Sequence, residues 1–339
     1  MNAEAIAIKS PGSLFWNERL RLAALSRFDL MRIALVAMMI GIVFVMFHYQ
    51  GNTTDLRTYG RSAILWMIQR WQDSGMVFGG ITDYSHGSLI PFVSLGVVWL
   101  KRRELRAAPK EVSMLGLAFL VGFLALHWIG ARSQHSRVSL FALAGILWSV
   151  PYYLFGKKVA AILLFPCAYL IFCIPLNFLD DLSFPLRHLA TVSSVWILNG
   201  LGMELIREGT AIHSTAGLGF ALDVDDPCSG LRSLLAMTAL TAVYAYFTQR
   251  TLLKKWLLFL AAVPLAVIGN VARVITICLV AASFGEYASL IYHDWSGYIV
   301  FAVAIALMIA LGNFLDSDPK QVLEKWKKRL LHPTSSSSP

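Results

Sequence analysis

Charge is what this 339-residue sequence has least of. Asp, Glu, Lys and Arg together make up 14% of it, against about 25% in an ordinary soluble domain. So sparse a charge cannot dress a soluble globule. With 57% hydrophobic residues gathered into several long runs, the chain is expected to be a polytopic integral membrane protein. Cysteine is scarce too. Cys167, Cys173, Cys228 and Cys278 are the only four, and no C-x-x-C spacing joins them, so neither a zinc site nor a redox pair is indicated. No metal and no cofactor is expected. Acidic residues are outnumbered 20 to 29 by Lys and Arg, for a net charge of +9. The bases fall in short clusters between apolar runs. That pattern is a topology signal, not a nucleic-acid footprint. No small-residue cleavage pattern follows the first apolar run, and neither an internal repeat nor a second soluble domain is visible.

The expected fold class is all-α and polytopic, with about eight transmembrane helices and a short β-hairpin ahead of Cys228. Residues 1–32 form a basic N-terminus, 33–313 a single membrane domain, and 314–339 a basic tail with a Ser-rich, disordered end. The spans read as about 33–49, from near Pro91 to Leu100, 113–130, 139–155, 159–179, 231–248, 256–284 and 295–313. Residues 61–72 read as a short interfacial helix, because Trp66 and Trp71 suit the headgroup zone. Residues 185–205 read as an amphipathic interfacial stretch. Two short alternating runs, 210–214 and 217–224, broken at Ala216-Gly217, read as the hairpin.

Orientation follows from the bases. With the N-terminus inside, the loops at 101–112, 156–158 and 249–256 and the C-terminal tail all fall inside, and they hold the dense Lys/Arg clusters. The loops at 50–87, 131–138, 180–230 and 285–294 then fall outside.

The chemistry gathers around Val224-Asp225-Asp226-Pro227-Cys228-Ser229-Gly230-Leu231-Arg232-Ser233, a polar cluster that opens an apolar helix. A thiol at a helix N-terminus near arginine is biased toward the nucleophilic thiolate. Arg232, four residues on, lies on the same helix face. The alternative is a buried packing cysteine. Arg273 lies roughly 25 Å along the seventh span from Trp256 at 1.5 Å per residue, close to the outer face. His293 stands in the outer loop before the eighth span. Snorkelling explains Arg273 equally well taken alone, and an ordinary loop histidine explains His293. Three residues far apart in sequence nonetheless reach one membrane face at similar depth, and ionisable groups within spans are candidates for function.

Cys228-Ser229-Gly230-Leu231-Arg232-Ser233, Asn270-Val271-Ala272-Arg273, the following His293 and the earlier Tyr84-Ser85-His86-Gly87-Ser88-Leu89-Ile90-Pro91, in this order, resemble the exosortase/archaeosortase family over about residues 50–310. The resemblance implies a Cys–Arg–His site of Cys228, Arg273 and His293. Its substrates would be exported proteins ending in a short motif, often Pro-Glu-Pro-like, one membrane span and a basic tip. Arg232, Asn270, Tyr84 and His86 stand as substrate-binding or supporting residues. Asp225-Asp226-Pro227 departs from the Glu-Ala-like residues of the common bacterial form, and carboxylates pointed at the thiol would oppose its ionisation. The implied function is a cysteine transpeptidase or protease acting through a thioester, in the bacterial inner membrane, with its site facing outside. The alternatives are a transporter lined by Arg273 and a Gly269-Asn270 helix break, or a non-enzymatic scaffold for envelope polysaccharide assembly.

Overall fold

A computed structural model of the chain describes residues 27–51, 60–72, 84–176, 178–215, 220–223 and 231–316. The helices are α1 Arg27–Tyr49, α2 Ala63–Gln72, α3 Ile90–Leu100, α4 Arg102–Ala107, α5 Met114–Arg132, α6 Ser136–Phe155, α7 Lys157–Tyr169, α8 Phe178–Gly200, α9 Leu231–Thr248, α10 Leu252–Phe284 and α11 Glu286–Asp316. The strands are β1 Leu205–Glu208, β2 Ala211–Ser214 and β3 Ala221–Asp223. Among the described residues, five helical stretches are long and apolar enough to cross a membrane: Leu30–Tyr49, Met114–Arg132, Ser136–Phe155, Leu252–Phe284 and Trp295–Asp316. Two shorter apolar stretches, Ser85–Leu100 and Ser233–Thr248, accompany them. The protein is thus a helical membrane protein with one small sheet.

The chain divides into two compact units, 1–67 with 92–171 and 68–91 with 172–339. In the first, α5 and α6 pair through small residues. A Cβ on Gly116 would stand 2.4 Å from the Tyr153 nitrogen, and one on Gly130 would stand 2.8 Å from the Ser139 nitrogen. Lipid tails give two such helices no hydrophobic reason to associate, so close backbone approach and polar contacts take over. His127 on α5 and Ser139 on α6 supply one such contact, at 2.6 Å, and the Phe47 ring of α1 lies 4.0 Å from the His127 ring.

The second unit carries the three-stranded sheet and the last four long helices. β2 pairs antiparallel with both neighbours, with Ile206 opposite His213 and Ile212 opposite Leu222. The expected hairpin is present as β2–β3, and β1 adds a strand the alternation did not reveal. Asn199 at the end of α8 holds β1 in place. Its Nδ2 donates to the Leu205 carbonyl at 3.0 Å, and the Leu205 N–H donates to its Oδ1 at 2.9 Å. Leu205, Ile212 and Phe220 of the sheet region then bury against Ala190 and Leu198 of α8 and Val274, Cys278 and Ala281 of α10.

Two expectations change. The 159–179 run is not one helix: α7 stops at Tyr169, a 3-10 turn covers Leu170–Cys173, and α8 starts at Phe178. Pro175 disfavours helical geometry at the residue before it. The outer loop expected at 285–294 is helical from Glu286 onward. Gly285, at φ 86°, alone separates α10 from α11. At 31 residues α11 is about 46 Å long, more than the roughly 30 Å hydrocarbon core, so a helix can carry those polar turns beyond it. The helix expected at 61–72 is present as α2, and its Trp66 packs inside the protein. It is 4% exposed, with the Arg137 guanidinium 5.4 Å from its ring.

The α5–α6 contact predicts a contrast between two glycines of one helix. Gly116→Ala drives a methyl into the Tyr153 backbone and should destabilise by about 1–3 kcal/mol. Gly122, with nothing within 4 Å of its Cβ position, should accept alanine with a gain of up to about 1 kcal/mol. Thermal unfolding in detergent measures both; equal midpoints would remove the close approach as a determinant of this pair.

Candidate active site

α10 begins behind Thr251, whose hydroxyl accepts from the Lys254 N–H at 3.4 Å and caps the helix. It then runs without interruption to Phe284, so Gly269-Asn270 is not a helix break. Gly269 is instead a packing point: a Cβ there would lie 3.0 Å from Val300 Cγ1 of α11. One turn further, Arg273 extends to the same helix. Its Nε donates to Ser296 Oγ at 2.9 Å, and one terminal nitrogen donates to the His293 carbonyl at 3.1 Å. Ser296 Oγ donates to that same carbonyl at 2.8 Å, closing a triangle. Gly297 gives the guanidinium room: a Cβ there would lie 3.5 Å from one terminal nitrogen and 3.6 Å from Cζ.

The sequence singled out Arg273 and His293, and the structure joins them side chain to backbone, across two antiparallel helices. Ser296 was missed. It is fully buried and takes the guanidinium's Nε. The signal that marks it is its position, three residues after His293 and so one turn on along the same face. The two bonds engage two of the five guanidinium N–H donors and set the plane of the group. A charge held in a half-buried site between helices is a strong electrostatic element.

Asn270 is one turn before Arg273 and 6% exposed. Cys228, Asp225 and Asp226 lie outside the described residues, as does the Arg232 side chain. The described chain resumes at Leu231, the start of α9. Leu234 of that helix packs with Ala266 of α10. Further down, Thr241 Oγ1 donates to Met308 Sδ at 3.0 Å and the Gln249 amide donates to the Gly312 carbonyl at 3.0 Å, tying α9 to α11.

Tyr84 and His86 occupy a different part of the same unit. Tyr84 is 2% exposed. Its hydroxyl donates to the Leu176 carbonyl at 2.9 Å and accepts from the Leu176 N–H at 3.0 Å. Trp71 Nε1 donates to the Cys173 carbonyl at 2.8 Å, and its ring presses on Gly87, where a Cβ would stand 2.6 Å from Nε1. This latch seats the turn Ser85–Ser88 against the chain leading into α8. His86 lies in that turn, ahead of α3, and its Nδ1 is buried without a hydrogen-bond partner among the described residues. Burial pushes its imidazole down to about 4, so at neutral pH it is uncharged. An uncharged, buried imidazole of this kind does not take up a proton readily at neutral pH.

A sequence profile of the Transmembrane exosortase family (Exosortase_EpsH) matches residues 71–310. The chain belongs to the transmembrane exosortase family. The match spans the latch, the sheet, Cys228 and the Arg273–His293 helix pair, and stops before the basic tail. No curated protein and no solved structure matches the chain. The exosortase match and the five apolar helices agree on an integral membrane protein.

Ser296→Ala should cost about 1.5–3 kcal/mol, the range for a hydrogen bond to a charged group, because it strips the buried Nε of its acceptor. Tyr84→Phe should cost about 1–3 kcal/mol by leaving both Leu176 backbone groups unmatched. Chemical denaturation of the detergent-solubilised protein measures each. An unchanged midpoint would show that the hydroxyl in question is replaceable by water.

Proposed function

We propose that this exosortase is a membrane-embedded cysteine transpeptidase or protease. It cleaves the C-terminal sorting tail of exported proteins at the outer face of the bacterial inner membrane. The Cys228 thiolate attacks the scissile carbonyl, the membrane tail leaves as an amine protonated by His293, and the thioester passes to water or an incoming amine. Arg273 supplies fixed positive charge for the thiolate or the developing oxyanion.

The observation that carries this reading is the Arg273 guanidinium, half-buried between α10 and α11 and fixed to the backbone of His293. Chain geometry supports the third member. Measured from the Leu234–Ala266 packing, the antiparallel run of α9 and α10 leaves Leu231 only about 6 Å short of the level of Arg273 at 1.5 Å per residue. Cys228 is three residues upstream, a reach of about 10 Å at most. The continuity of α10 weighs against a transport path through a broken helix.

In the topology we propose, α1, α3, α5, α6, α7, α9, α10 and α11 make eight crossings with both termini inside. Lys101, Arg102, Arg103 and Arg106 fall inside with Lys157, Lys158, Lys254 and Lys255, while α8, the sheet and the Arg273 level fall outside. Arg273 stands about 32 Å from the inner start of α10, one hydrocarbon thickness.

A co-expressed reporter ending in a Pro-Glu-Pro segment, an apolar span and a basic tip tests the reading by gel shift. Cys228→Ser should abolish trimming. Arg273→Lys should fail as well, because a point charge does not reproduce a planar fork. His293→Ala should slow trimming about 10²–10⁴-fold and flatten its pH dependence. Trimming by Cys228→Ser at the parental rate would end the cysteine-enzyme reading. Topology has its own measurement: an impermeant thiol reagent on intact cells should label single cysteines introduced at 209 but not at 109. The reverse pattern would invert the protein.

A further inference from the structure

α8 has two unlike faces. Ala190, Thr191, Ser194 and Leu198 are buried, and Ser194 Oγ donates to the Val271 carbonyl of α10 at 3.3 Å. On the opposite side Leu189, Val192 and Trp196, spaced to share one helix face, are exposed, Trp196 by 78%. Along that side the last turns of α8 and strand β1 border an open groove of about 700 Å³. Val192, Val195, Trp196, Asn199, Leu201 and Arg207 line it. The lining is apolar except for Asn199, whose amide is committed to Leu205, and Arg207.

Arg207 is what an ordinary lipid-facing wall lacks. Side chains alternate across a strand, so Arg207 shares the side of β1 on which Leu205 buries against α8. One terminal nitrogen donates to the Gly209 carbonyl. No carboxylate among the described residues pairs with the group, which keeps most of its five N–H donors. Depth is set by α10. Leu186, early in α8, packs against the Leu234–Ala266 contact, about 21 Å from the start of α10 at 1.5 Å per residue, whereas Val271 is about 29 Å from it. The hydrocarbon core is about 30 Å thick. α8 therefore leaves the core near Ser194. The end of the groove with Leu201 and Arg207 lies at headgroup level, and Val192 and Leu189 run back toward the acyl chains.

We propose that this groove holds one membrane phospholipid, with its phosphate on the Arg207 guanidinium and an acyl chain along Trp196, Val192 and Leu189. The charge is complementary: a guanidinium fork matches phosphate oxygens better than any other side chain. The tryptophan is at the depth where indoles collect in membranes. The apolar stripe also continues past the groove into the core, as a lipid chain does. A short acidic peptide would satisfy the cation but leave that stripe uncovered. Bound there, the lipid joins α8 to β1 and so helps to seat the sheet against α10. None of this depends on the reaction at Cys228.

The test uses the full-length protein, delipidated in detergent, and counts bound lipid by native mass spectrometry. Dioleoyl phosphatidylglycerol should fill one tight site. Dioleoylglycerol, which lacks the phosphate, and glycerol phosphate, which lacks the chains, should each bind about tenfold more weakly or worse. Arg207→Gln should weaken the phospholipid about tenfold to a hundredfold, the span of a hydrogen bond to a charged group. Arg207→Lys, which keeps the charge, should weaken it less. Trp196→Ala should weaken it too, and circular dichroism should be unchanged in all three variants. Equal occupancy in the parent and Arg207→Gln overturns the proposal. So does glycerol phosphate binding as tightly as the phospholipid, which would make this a site for free anions. Displacement of the phospholipid by an equimolar acidic peptide would give the groove to a peptide and overturns it equally.

Discussion

A positive charge held between two helices organises the unit that contains the last four long helices. Arg273 reaches from α10 to α11 and bonds both the hydroxyl of Ser296 and the carbonyl of His293. The charge is half-buried and hydrogen-bonded across the helix pair, so the contact constrains rotation and register of both helices at once. Packing elsewhere along the pair follows the same register. Gly269 admits Val300 one turn below, and Leu258 and Ala262 meet Ala304 and Met308 nearer the other end. The imidazole implied by the family resemblance is thereby attached to the guanidinium through the backbone.

Each part of the chain around this pair uses a different means of positioning. α9 is held by polar ties suited to an interior without water: a threonine on a methionine sulfur and a glutamine on a helix carbonyl. The sheet rests on α8 and α10 through a small apolar core and is pinned at one end by Asn199. The Tyr84–Leu176 and Trp71–Cys173 bonds close a latch across about a hundred residues of sequence. The motif around Tyr84 thus acts on structure here: its tyrosine satisfies a backbone pair ahead of α8, and its glycine makes space for an indole.

Much of this was legible beforehand because composition and periodicity are local. Low charge and long apolar runs imply spanning helices wherever they occur, and α5, α6, α9 and α10 begin and end within a few residues of the expected limits. The β2–β3 pairing was legible from its alternation. β1 was not, because Leu205-Ile206-Arg207-Glu208 does not alternate and owes its place to Asn199. The stretch 286–294 looked like a loop because polar residues at a membrane face usually are one; a helix longer than the bilayer is thick needs no loop there. Ser296 carried no signal of its own, since a serine in a span is ordinary until something donates to it.

The sequence by itself determined that this is a membrane protein of many helices, on which segments most of the helices fall, and that it resembles an exosortase. Those properties follow from transfer free energies and residue types, which need no neighbours. Only the tertiary structure decided that Arg273 spends two N–H donors on α11, that Tyr84 and Trp71 latch the chain ahead of α8, and that Asn270 is buried. Each of these depends on which helix faces which, and at what register. Residues that pack level across a helix pair can be far apart in sequence, so the choice among registers is made by packing and hydrogen bonding after the helices have formed.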